Sequence, residues 1–178
     1  VVLSVTDVTA SGNIIATNRP RFFVYRGNSE LILNASNLAT VAETVDFTTA
    51  VYNVGSAFDL NTERFTAPVT GLYRFDFSLL VGFTVPSSGV NWASFQLMKG
   101  TSTSAIADGS HRSYHEAYRG SGSSAGNVGD YSFKRVVNSA TVSLTQNETI
   151  RLKVHASNSV NLRIHSGNQS SFSGYLIG

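Results

Sequence analysis

Between Tyr73 and Phe83 the chain alternates without a break. Tyr73, Phe75, Phe77, Leu79, Val81 and Phe83 take one set of alternate positions, and Arg74, Asp76 and Ser78 fall in the other. A strand points successive side chains to opposite faces, so this period of two puts an aromatic row on one side of a sheet and polar groups on the other. On a helix the same rings would be scattered around the whole circumference. A strand with such a row needs a second apolar layer against it, and that requirement governs how the remaining segments are read.

Upstream, Phe47 heads an apolar run. Asn53, Gly55, Asp59 and Asn61 supply turn chemistry before Phe65, and Pro68 and Gly71 punctuate the approach to the long strand. Further strands are read over RFFVYRG (21–27), ELILNAS (30–36), TVAETVDFTTAVYNV (40–54), WASFQLMKG (92–100) and HRSYHEAYR (111–119). The last are YSFKRVVNSATVSL (131–144), ETIRLKVHA (148–156), NLRIHS (161–166) and SFSGYLIG (171–178). Turn signals separate them and no helical period intervenes, which makes the chain an all-β sandwich of about ten strands. Its 178 residues form one domain large enough to bury a core, and only 13% are charged, so the surface is dominated by Ser, Thr, Asn and Gly.

Phe47, Asn53, Phe58, Phe65, Gly71, Tyr73, Phe75 and Phe77 stand at the spacing F-x5-[ND]-x4-[FYWL]-x6-F-x5-G-x-Y-x-F-x-[FY]. On these residues the segment resembles the signature of the globular complement C1q domain, with every constrained position filled. SSFSGYLIG at the C-terminus is similar to that family's closing strand, and Arg19-Pro20-Arg21-Phe22-Phe23 to its opening one. The resemblance covers residues 19–178 and implies a C1q/TNF-like jelly roll of antiparallel strands, assembled as a homotrimer with one sheet of each subunit packed toward the threefold axis. Family members commonly carry Gly-Asp in one late hairpin where this chain has Asn147-Glu148.

Residues 1–18 lie outside the resemblance and read as a β-prone stalk or linker segment, with Gly12-Asn13 as its turn. The first residue is Val rather than Met, as expected of a fragment or processed product. No G-X-Y period occurs in this leader, which favours a viral or bacterial fibre over a collagen-tailed ligand as its parent.

Catalytic patterns are weak. His111 and His115 with Glu116 lie in a Ser/Gly-flanked stretch read as strand or loop, not on the helix that a zinc-protease pair needs. His155 and His165 end two neighbouring strands, with the option of facing each other across a hairpin. There is no phosphate loop and there are no paired carboxylates, so enzyme activity is not expected. No cofactor or metal is expected either; some C1q-like relatives carry calcium, but the scattered acids here form no calcium motif. Thirteen basic and eleven acidic residues, without a basic run, give no support for nucleic acid as a partner, and no apolar run is long enough for membrane insertion. Zero cysteines exclude disulfides. Asn34, Asn147 and Asn168 are N-x-[ST] acceptors that matter only on a eukaryotic secretory route.

Eleven Phe and seven Tyr exceed what one core must absorb. Tyr73, Phe75, Phe77, Tyr131, Phe133, Phe172 and Tyr175 are therefore candidates for the trimer interface or the core. Residues 100–130 are the least regular stretch, and Arg112, Tyr114, His115, Tyr118 and Arg119 suit hydrogen bonding, stacking or anion pairing there. The expected function is that of a non-enzymatic trimeric head domain, extracellular or on a virion surface, which adheres to a cell-surface receptor or glycan. A structural trimerisation cap and a secreted recognition or signalling ligand are the alternatives.

Overall fold

The computed structural model of the chain describes residues 18–27, 29–33, 43–84, 91–100, 112–117, 132–156 and 161–178. Among them are thirteen strands and no helix. In chain order these are β1 (Arg21–Arg26), β2 (Leu31–Leu33), β3 (Glu43–Thr44), β4 (Thr49–Val54), β5 (Phe58–Asp59), β6 (Arg64–Thr66) and β7 (Gly71–Thr84). Then follow β8 (Asn91–Lys99), β9 (Arg112–Ala117), β10 (Ser132–Leu144), β11 (Thr149–Ala156), β12 (Asn161–Ile164) and β13 (Gly167–Leu176).

All pairings are antiparallel. In the first sheet β7 takes β10 along its full length, from Gly71 opposite Leu144 to Phe83 opposite Ser132. The same β7 pairs β13 over Tyr73–Ser78 and β12 over Val81–Thr84. Beyond them β1 pairs β13, β4 pairs β1, and β2 pairs β12. In the second sheet β11 is flanked by β8 and by β3 and β6, with β9 outside β8 and β5 outside β6.

The alternation that dominates the sequence is the core. Tyr73, Phe75, Phe77, Leu79 and Val81 are essentially unexposed, and Phe65, Phe95, Leu97, Ile150, Leu152 and Val154 meet them from the second sheet. Phe22 stacks on Phe58 at 4.7 Å between ring centroids and on Phe65 at 5.4 Å, and meets Phe172 edge-on at 5.0 Å. Phe47 joins through Phe172 at 5.8 Å, and Tyr73 through Phe65 at 5.2 Å. Each buried ring contributes roughly 2–3 kcal/mol through apolar area removed from water. Gly174 makes room for them: a Cβ there would stand 2.6 Å from both Phe22 and Phe75.

The single long strand expected over residues 40–54 is instead two strands in different sheets. β3 pairs β11 of the second sheet, whereas β4 pairs β1 of the first. Between them Val45 and Phe47, each 1% exposed, carry the chain across the edge of the sandwich. Their backbone amides find partners off the ladders: Val45 N donates to Leu152 O at 2.9 Å, and Phe47 N to the Glu63 carboxylate at 2.9 Å. Apolar residues at alternate positions give the same pattern whether the strand continues or changes sheets, which is why the break was illegible.

Asn53 closes the next turn. Its Nδ2 donates to Phe58 O at 2.6 Å and its Oδ1 accepts from Phe58 N at 3.0 Å, while Gly55 and Ser56 take positive φ between them. Asn53→Ala therefore leaves both backbone groups of a buried phenylalanine without these partners. It is expected to lower stability by about 1 kcal/mol, read as a drop in urea midpoint at unchanged slope; no drop would remove the turn-closing role.

Candidate functional site

The outer face of the first sheet exposes several large apolar side chains. Positions opposite the core row bring Tyr52 of β4, Phe23 of β1, Tyr175 of β13 and Leu72 of β7 onto it. Tyr52, Leu72 and Tyr175 are 44%, 41% and 44% exposed, Val137 on β10 is 63% exposed, and the Phe23 and Tyr52 rings lie 6.1 Å apart. Arg74 forks onto the Asp76 carboxylate with contacts of 3.1 and 3.3 Å in the middle of this face. The Asp76 pairing raises the Arg74 guanidinium above its ordinary value.

The interface-or-core candidates separate cleanly. Tyr73, Phe75, Phe77 and Phe172 lie inside one subunit's own sandwich, and Tyr73 Oη spends its proton on Val69 O at 2.7 Å. Tyr175 alone of the described set reaches the outer face. Tyr131 falls outside the described residues, and Phe133 is placed only by its backbone, opposite Gly82. Phe23, Tyr52 and Leu72 were missed by sequence reading; the alternation of RFFVYR, with Phe22 and Val24 inside, would have assigned Phe23 to the outer face.

Of the proposed contact residues, Arg112, Tyr114 and His115 belong to β9, in register with Gln96, Ser94 and Ala93. Tyr118 and Arg119 lie outside the described residues, as does His111. His155 and His165 do not face each other across a hairpin. His155 sits in β11 of the second sheet opposite Ser94, whereas His165 follows β12 in the first, its N donating to Leu80 O. His165 Nε2 lies 3.5 Å from Glu30, which Arg163 also approaches at 3.1 Å. No group of three or more His, Cys, Asp or Glu able to hold a metal occurs among the described residues.

A polar knot is buried at the sheet crossing. The Arg26 side chain, 6% exposed, pairs with Asp46 and donates from Nε to Ser29 O at 2.8 Å. Glu63, held at φ +56° in the β5–β6 turn, accepts from Phe47 N. Burial pushes the Glu63 carboxyl up to about 7, against the opposing pull of the Phe47 N–H and the Arg26 charge. Burial likewise lowers Arg26, and the Glu63 carboxylate partly restores it.

A model of the C1q domain matches residues 31–90. The globular domain of zebrafish complement 1qA protein superposes with a TM-score of 0.55 at 17% identity, covering 90% of this chain and 98% of that one. Murine APRIL superposes with a TM-score of 0.56 at 12% identity, covering 89% and 98%. A search of curated proteins returns no match. The chain is an all-β sandwich of the C1q/TNF-like jelly-roll fold. No described helix is long and apolar enough to cross a membrane.

Proposed function

We propose that this domain is a non-enzymatic recognition module that works as a homotrimer. Three copies would pack the outer face of the first sheet toward a shared axis. The observation that carries this reading is the cluster of half-exposed apolar side chains there, Tyr52, Leu72 and Tyr175 with Phe23 beside them, on a face whose other side is already a complete core. A cyclic assembly of identical subunits covers such a patch in every copy at once. Residues 19–178 would be the head and residues 1–18 the end of a stalk, so that three recognition surfaces act together and gain avidity. In this reading the protein is the head of a viral or bacterial fibre, extracellular or on a virion surface. It would bind a cell-surface receptor or glycan through Arg112, Tyr114, His115, Tyr118 and Arg119, without a cofactor.

Tyr175→Glu tests the assembly. It places a charge in the middle of the patch without touching the core, so the variant is expected to stay folded and to sediment at one third of the wild-type mass. Wild-type protein that is monomeric at high concentration would remove the trimer. Arg112→Ala with Tyr114→Ala tests recognition separately, since it should abolish host-cell or glycan binding while leaving the mass unchanged.

A further inference from the structure

The outer face of the second sheet carries a different chemistry. β11 alternates Ile150, Leu152 and Val154 into the core with Arg151, Lys153 and His155 outward. β6 turns Phe65 inward, opposite Ile150, and so sets Arg64 beside Arg151 on the outer face. On β8 the matching positions are Ser94, Gln96 and Met98, opposite His155, Lys153 and Arg151. Met98 and Ser94 are 0% and 1% exposed although they lie outside the sandwich interior, so the cations stand over a floor that water does not reach.

Three cations in such a place repel. Burial lowers the Arg151 guanidinium and the Arg64 charge lowers it further; Lys153 is lowered by burial, then by Arg151, against the upward pull of Glu43. The nearby acids are Glu43, one register step from Lys153, and Asp59, opposite Arg64. Asp59 is already engaged in its own turn, accepting from Asn61 N and Thr62 Oγ1 at 2.8 Å each. Arg151 spends one Nη2 proton on Gly100 O at 2.9 Å, but Nε of both Arg64 and Arg151 is buried with no hydrogen-bond partner. Neither arginine makes an ion pair among the described residues. Buried donors without acceptors are costly and are usually met by a partner.

We propose that Arg64, Arg151 and Lys153 form an oxyanion-binding site on the outer face of the second sheet, taking a sulfate, phosphate or carboxylate group. Two guanidinium Nε–H donors and one ammonium match such an oxygen cluster, and a bound anion relieves both the unpaired donors and the mutual repulsion. The group comes either from a free inorganic ion or from an acidic saccharide.

The test uses the full chain in low-salt buffer, titrated with sodium sulfate or with sodium chloride at matched ionic strength. Sulfate is expected to raise Tm saturably where chloride does not, and to shift the Nε–Hε NMR signals of Arg64 and Arg151. Arg151→Gln and Lys153→Gln should each weaken sulfate about tenfold, while Arg19→Gln, exposed at the chain's other sheet, should leave it intact. A sulfated hexasaccharide or sialyllactose binding tighter than sulfate assigns the saccharide as source; equal or weaker binding assigns the free ion. Identical responses to sulfate and chloride, or unmoved arginine signals, would overturn the site.

Discussion

Phe172→Ala is expected to remove about 3–5 kcal/mol of folding free energy, a large share of what a domain of this size has to lose. The side chain is 0% exposed and its ring meets those of Phe22, Phe47, Phe58 and Phe75 at 5.0–6.0 Å, so truncation deletes one member of a closed aromatic cluster. The void cannot collapse easily, because Phe22 and Phe75 already crowd Gly174 next in line. Urea unfolding should show the midpoint fall with the slope kept. If the alanine variant is recovered unfolded, Phe172→Leu should fold and lie between the two. An alanine variant within about 1 kcal/mol of wild type would mean that the rings are not a cooperative core.

Glu63 makes stability fall as pH rises. Its folded carboxyl titrates at about 7 against an ordinary 4.5, so between those values the folded state holds a proton that the unfolded state has released. The stabilisation is complete below about 4.5 and is lost as pH climbs through 7. Discounted for partial exposure, the swing is about 2 kcal/mol. Glu63→Gln keeps an oxygen for Phe47 N and removes the charge; it should match wild type near pH 5, exceed it at pH 8, and flatten the profile between. The groups facing Glu63 are Arg26 and Asp59, and Asp59 is held below its ordinary value by the Asn61 and Thr62 hydrogen bonds, so it does not titrate in this window. A wild-type Tm unchanged from pH 5 to 8 would refute the assignment.

What could be read in advance follows from how local the signal was. The aromatic alternation of β7 and the turn at Asn53 are consequences of neighbouring residues, and both stand in the structure as the sequence implied. The sheet change at Val45–Thr48 was hidden because inward-facing apolar residues look alike in either sheet. The same blindness left a hairpin between His155 and His165 open as an option: adjacency in sequence does not say that β11 and β12 belong to different layers. The cationic face was legible in part, since R-L-K-V-H alternates plainly, but Arg64 joins Arg151 only through strand pairing across the 86 residues between them. Asn147 shows the reverse case. It takes φ +70° and donates to Ala67 O at 2.8 Å, a left-handed position that asparagine tolerates.

The first and last strands lie side by side, with Arg21 opposite Tyr175, Pro20 O accepting from Leu176 N and Leu72 N donating to Gly178 O. Residues 18 and 178 thus lie at the same end of this strand pair. Opposed tension on the two would open the fold like a zipper, rung after rung from Tyr175 inward, rather than shearing all rungs together. A load borne through only one of them leaves that seam shut.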